Sequence, residues 1–180
     1  GIGDPDMPTP ISVVDKLIDA SREPAPPRSP ATDGLPEART AISSWYQNCF
    51  GVSDLDPNSE VLPLIGAKEG IGHVALCFLD PGDIALVPDP DYPVYSVGTT
   101  FAGAVPYVMP LLEENGWLPD LGSVPTRVAQ DAKVMWLNYP NNPTGAVADQ
   151  GYYEQVIDFA RSYDISVVHV SAYSEVLYDG

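Results

Sequence analysis

At 180 residues, with 44% hydrophobic and 18% charged side chains, the chain has the size and balance of an ordinary globular domain with a sizeable core. Its net charge of −17 argues against nucleic acid or an anionic membrane as partner, since both need basic patches, yet leaves room for a small anion held by local positive potential. No run approaches the ~20 apolar residues of a membrane span, no basic start with an apolar core marks a signal peptide, and the two histidines show no metal spacing.

Residues 1–34 are rich in Pro, Asp and Gly and carry one short helical pattern at Ile11, Val14, Leu17 and Ile18, so they read as an extended arm with a helix. A helix is predicted over 36–50, with Pro36 in its first turn and Gly51 as its stop. From residue 60 apolar strands and helices alternate. The apolar run 61–65 opens the series as a short strand, followed by a helix over 67–79 that Pro81-Gly82 ends. Strand 84–87, helix 92–101 and strand 105–109 come next, then an irregular connection over 110–131 containing Trp117. Strand 133–137, a helix over 149–163 capped by Asp149, and strand 165–170 complete the pattern. Nearly continuous apolar strands separated by helices predict an α/β fold, a mainly parallel sheet with helices on both faces. Cys49 and Cys77 fall in the helical patterns and read as reduced core thiols of a cytoplasmic protein.

Four stretches could carry chemistry. In Asn138-Tyr139-Pro140-Asn141-Asn142-Pro143-Thr144-Gly145, two prolines and a glycine hold the chain in one irregular shape at a strand's carboxyl end. That edge is where open α/β sheets bind ligands, and an Asn there can donate to a phenolic or carboxylate oxygen; the same residues also make ordinary turns. Gly66-Ala67-Lys68-Glu69-Gly70 opens a helix, whose first N–H groups and Lys68 suit an anion. In Pro88-Asp89-Pro90-Asp91-Tyr92-Pro93, Tyr92 is stiffened by flanking prolines, so it either presents its ring to a planar ligand or packs as a buried aromatic. Val168-His169-Val170-Ser171-Ala172-Tyr173 places Tyr173 just past a strand end, with His169 as a satisfied histidine or a catalyst.

Together with Gly1-Ile2-Gly3-Asp4-Pro5-Asp6 and Asp33-Gly34-Leu35-Pro36, these segments resemble, in order and spacing, the class I/II aminotransferases. These are pyridoxal 5′-phosphate (PLP) enzymes of fold type I, and the likeness is closest to the LL-diaminopimelate and aspartate aminotransferase-like members. The resemblance implies that residues 35–180 are the first part of the PLP-binding large domain. It implies a backbone contact from Gly3 to the substrate carboxylate, Ala67 and Lys68 on the cofactor phosphate, Tyr92 stacked on the pyridine ring, and Asn142 and Tyr173 on its phenolic oxygen. Amino-acid and 2-oxo-acid substrates, a cytoplasmic location and a homodimer are further implications.

Three departures from the family pattern stand out. Val170 occupies the position where the family has an Asp that keeps the pyridine nitrogen protonated and the ring an effective electron sink. Ser29 replaces a tyrosine that reaches the neighbouring subunit's phosphate. The Schiff-base lysine and two family arginines have no counterpart in the chain, whose abrupt ends lead to the expectation of a fragment. Besides an aminotransferase, the pattern leaves open a carbon–sulfur lyase-like relative and a non-catalytic homologue or split subunit.

Overall fold

The computed structural model describes residues 6–23 and 32–176, which fall into two units, Gly1–Pro63 and Leu64–Gly180. In the first unit, α1 (Ile11–Arg22) buries none of its residues. Helix α2 (Pro36–Phe50) begins on Pro36, where no N–H is needed, and stops at Gly51 in the left-handed region, φ 70°. Arg39 is its buried residue and donates to the Asp33 carboxylate and carbonyl. At Gly34, φ is 75° and a Cβ would stand 2.7 Å from Pro63 Cγ, so this turn admits no side chain.

The second unit holds a four-stranded parallel sheet in the order β2-β1-β3-β4. Its strands are β1 (Ile84–Asp89), β2 (Val105–Pro110), β3 (Ala132–Asn138) and β4 (Ser166–Val170). Helices α3 (Ala67–Phe78), α4 (Val94–Phe101), α5 (Thr126–Asp131) and α6 (Gln150–Tyr163) separate or precede them. The central strands are apolar on both faces because both are covered. Ala85, Val87, Val134 and Trp136 meet Ile71 and Ala75 of α3 and Tyr95 of α4. Leu86, Met135 and Leu137 meet Tyr152, Val156 and Ala160 of α6. Each large side chain so removed from water contributes about 1.5–3 kcal/mol. The outer strands are less buried, and β2 carries Pro106 and Pro110, which a hydrogen-bonded central strand would not tolerate.

The α/β reading and its parallel sheet hold, and Asp149 caps α6 by accepting the Tyr152 N–H at 2.8 Å. Two expectations fail. Residues 61–65 form no strand: Pro63 removes a donor, Ile65 is 93% exposed, and the segment runs into α3 without a ladder partner among the described residues. Cys49 and Cys77 lie in helices as expected but on exposed positions, so they are not core thiols. Periodicity had placed them among apolar neighbours without fixing which helix face turns inward.

From β1 the chain moves outward to β2 and then returns to the other side of β1 for β3. The loops leaving β1 and β3 therefore diverge between adjacent strands, at the point where such sheets open a crevice.

Candidate functional site

Three parallel neighbours, β1, β3 and β4, deliver their carboxyl ends to one edge of the sheet. Tyr92 follows β1, Asn142 follows β3 and Tyr173 follows β4. The peptide bonds Asp89–Pro90, Tyr139–Pro140 and Asn142–Pro143 in these loops are cis.

Asn138, the last residue of β3 and 3% exposed, fixes the middle loop. Hydrogen bonding orients its amide: the nitrogen donates to the Val170 carbonyl at 2.9 Å and the Pro140 carbonyl at 3.2 Å, while the oxygen accepts the Asn142 N–H at 3.0 Å. One side chain thus ties the end of β4 to the backbone of Asn142. The loop also closes on itself, with Asn141 N–H donating to Ala146 and Gly145 N–H to Asn141, and Asn141 Nδ2 to Thr144 Oγ1 at 2.8 Å. Asn142 Nδ2 then lies 3.4 Å from the Tyr173 hydroxyl, which brings together two of the residues singled out in the sequence. Both line a cleft of about 730 Å³ that extends toward Tyr153 and Val147.

A second pair forms at the start of α3. Gly66 precedes the helix with φ 85° and offers no side-chain cap, so the N–H groups of Ala67 and Lys68 have no partner among the described residues. The Lys68 ammonium sits 5.7 Å from the Tyr92 ring centroid, and the Tyr92 hydroxyl raises the Lys68 pKa. Lys68, Tyr92 and Ala67 do not line the 730 Å³ cleft.

Tyr95 lies between the two pairs. It is 1% exposed, stacks on Trp136 at 5.2 Å and 17°, and meets Tyr92 edge-on at 6.0 Å. Burial pushes its phenol well above the ordinary tyrosine range, and the charges of Asp91, Tyr173 and Tyr92 add to the rise. The same phenol is therefore within electrostatic reach of members of both pairs. Val170 packs against this cluster and brings no polar atom to it, and the Trp136 indole N–H is left without a partner among the described residues.

His169 points to the other face of β4. Its Nε2 is 3.0 Å from the Tyr153 hydroxyl, the rings are perpendicular, and burial lowers its pKa. It is a hydrogen-bonded histidine on the α6 side. Ser171 is exposed and does not join the cluster. Gly3 and Ser29 lie outside the described residues. Sequence reasoning placed Asn138 and Asp91 in its motif stretches without giving either a role, and gave none to Tyr95. A polar residue closing an apolar strand was the visible signal for Asn138, whereas nothing local distinguished Tyr95 from any helical aromatic.

A sequence model described as Aminotransferase class I and II matches residues 1–180. The chain belongs to that family. It is 58% identical over its whole length to the LL-diaminopimelate aminotransferase of Moorella thermoacetica and 50% identical over 176 residues to that of Aquifex aeolicus. The chain spans under half the length of these aminotransferases, 46% and 45%. Among solved structures it is similar to a probable N-succinyldiaminopimelate aminotransferase from Thermus thermophilus, with TM-score 0.91 and 38% identity over 99% of this chain and 48% of that one. An alanine aminotransferase from Pyrococcus furiosus matches with TM-score 0.88 and 31% identity, over 97% of this chain and 44% of its own.

Aminotransferases of this kind imply PLP, and most of the donor set suits it. Free helix N–H groups with an ammonium suit a phosphate, an aromatic face suits a ring, and the Asn142–Tyr173 pair suits a phenolic oxygen. Val170 does not suit a protonated ring nitrogen.

Proposed function

We propose that the protein to which this chain belongs is a PLP-dependent aminotransferase that moves an amino group between an amino acid and a 2-oxo acid, with LL-diaminopimelate as its amino donor. The observation that carries the reading is the convergence of three parallel strand ends on Tyr92, Asn142 and Tyr173, with Lys68 beside Tyr92, in a chain 58% identical to an LL-diaminopimelate aminotransferase.

In this reading Ala67 and Lys68 bind the phosphate and Tyr92 covers one face of the ring. Asn142 and Tyr173 donate to the phenolic oxygen, and Asn138 holds Asn142 in place for that task. Bound cofactor supplies the electron sink for breaking bonds at the amino acid's Cα. The anchoring lysine would come from outside these residues, and Gly3 would contribute a backbone contact to the substrate carboxylate. The working unit is a cytoplasmic homodimer.

The test is to purify the complete protein with PLP and measure amino transfer from LL-diaminopimelate to a 2-oxo acid. A PLP absorbance band with transfer supports the reading. Failure of PLP to alter either the absorbance or the thermal midpoint overturns it. Release of a thiol from cystathionine without amino transfer would point to carbon–sulfur lyase chemistry instead. A second reading, a non-catalytic or split-subunit relative, rests on Val170, and it predicts cofactor binding without turnover.

A further inference from the structure

Asp91 precedes Tyr92 in the loop between β1 and α4. Its Oδ2 is closed off from solvent and has no hydrogen-bond partner among the described residues. Such an oxygen is unusual, because removing a carboxylate from water without a donor opposes folding. Among the described residues, the surrounding ionisable groups do not compensate it. Asp89 brings a like charge, and the Tyr95 phenol, whose ionisation Asp91 opposes, stays neutral. The Lys68 ammonium sits over the Tyr92 ring.

The neighbourhood already offers groups for an anion, for an aromatic face and for a phenolic oxygen. A shielded carboxylate without a partner supplies the remaining complement, a seat for positive charge. Val170 sharpens the assignment: the position at which the family resemblance calls for a carboxylate is apolar here and packs against Tyr95 and Trp136.

We propose that Asp91 is the anionic subsite of this cradle and pairs with a cationic nitrogen of the bound ligand, either a protonated pyridine nitrogen or an ammonium group. The proposal rests on the cofactor-binding reading above and adds a residue that the family pattern does not assign. The buried oxygen waits for a charge-assisted hydrogen bond that ligand binding completes.

Two phosphorylated pyridines separate the sources of the nitrogen. Pyridoxine 5′-phosphate has its only nitrogen in the ring, and pyridoxamine 5′-phosphate adds an amine. Calorimetry on the complete protein should show Asp91→Asn weakening pyridoxamine 5′-phosphate by about tenfold, equivalent to about 1.4 kcal/mol, with inorganic phosphate unaffected. An equal loss for pyridoxine 5′-phosphate assigns the ring nitrogen; loss confined to the pyridoxamine form assigns the amine. Unchanged affinity for both, or an equal loss for inorganic phosphate, overturns the subsite and leaves the cofactor reading standing. Failure of the unmodified protein to bind either pyridine overturns both readings. Carboxyl-carbon NMR of the unmodified protein gives a second measure: the Asp91 pKa should fall from about 6 when the nitrogen-bearing ligand binds, and an unmoved titration overturns the proposal.

Discussion

Replacing Asp91 by Asn should stabilise the ligand-free protein while weakening its ligand. Burial, with Asp89 adding, raises the Asp91 pKa from 3.8 to about 6 in the folded state. The fold therefore disfavours the ionised carboxyl. At about 1.4 kcal/mol per tenfold change in proton affinity, that rise has an upper limit of about 3 kcal/mol. Asp91 keeps part of its surface in water, and solvent screening reduces the expected gain to roughly 1 kcal/mol. The sign follows from proton counting. Well below 3.8 the carboxyl is protonated whether folded or unfolded and carries no penalty; the penalty grows as pH rises through about 6 and is constant above. Urea denaturation of the cofactor-free protein should give Asp91→Asn the higher midpoint at about pH 7.5, with the advantage falling by roughly half at about pH 5. A variant no more stable than its parent, or a gap that ignores pH, would refute the argument. Stabilisation gained together with affinity lost is the pattern of a residue kept for binding rather than for folding.

Asn138→Ala removes three hydrogen bonds and strands the Asn142 N–H, so it should lower stability by about 2–4 kcal/mol in urea denaturation. A change under about 0.5 kcal/mol would mean that the loop does not depend on this side chain. Lys68→Gln should weaken pyridoxine 5′-phosphate binding and flatten its salt dependence in a fluorescence titration, because Lys68 is a solvent-exposed point charge; an unchanged salt slope would remove it from the phosphate site. Val170→Asp should raise amino-transfer turnover by returning a carboxylate to the Tyr95–Trp136 cluster; absence of turnover both before and after the exchange would favour the non-catalytic reading.

Much of the architecture was legible because strands buried on both faces leave a strong signature. Ala85 through Val87 and Val134 through Leu137 are apolar at every position, and Asp149 and Gly51 mark helix ends by local chemistry alone. The run at 61–65 misled because apolar content does not secure a ladder partner, and Pro63 weakens the segment as a strand. Within the site, Lys68, Tyr92, Asn142 and Tyr173 were visible through motif order, and the structure brings them together as two pairs. The roles of Asp91, Tyr95 and Asn138 were hidden for a common reason. What distinguishes them is an oxygen cut off from water, a phenol in a charged field and an amide shared by two strands, and each of these arises only once distant segments meet.

The Asn138 amide also makes the order of one loop depend on a different strand, β4. Because one nitrogen bridges the end of β4 and the loop bearing Asn142, any opening of β4 at Val170 releases a bond that positions Asn142. Local opening of strand ends takes far less free energy than unfolding the molecule. A ligand that holds Asn142 in place would therefore also hold the end of β4, and protection of the Val170 region from hydrogen exchange would rise on binding although Val170 offers the ligand no polar atom.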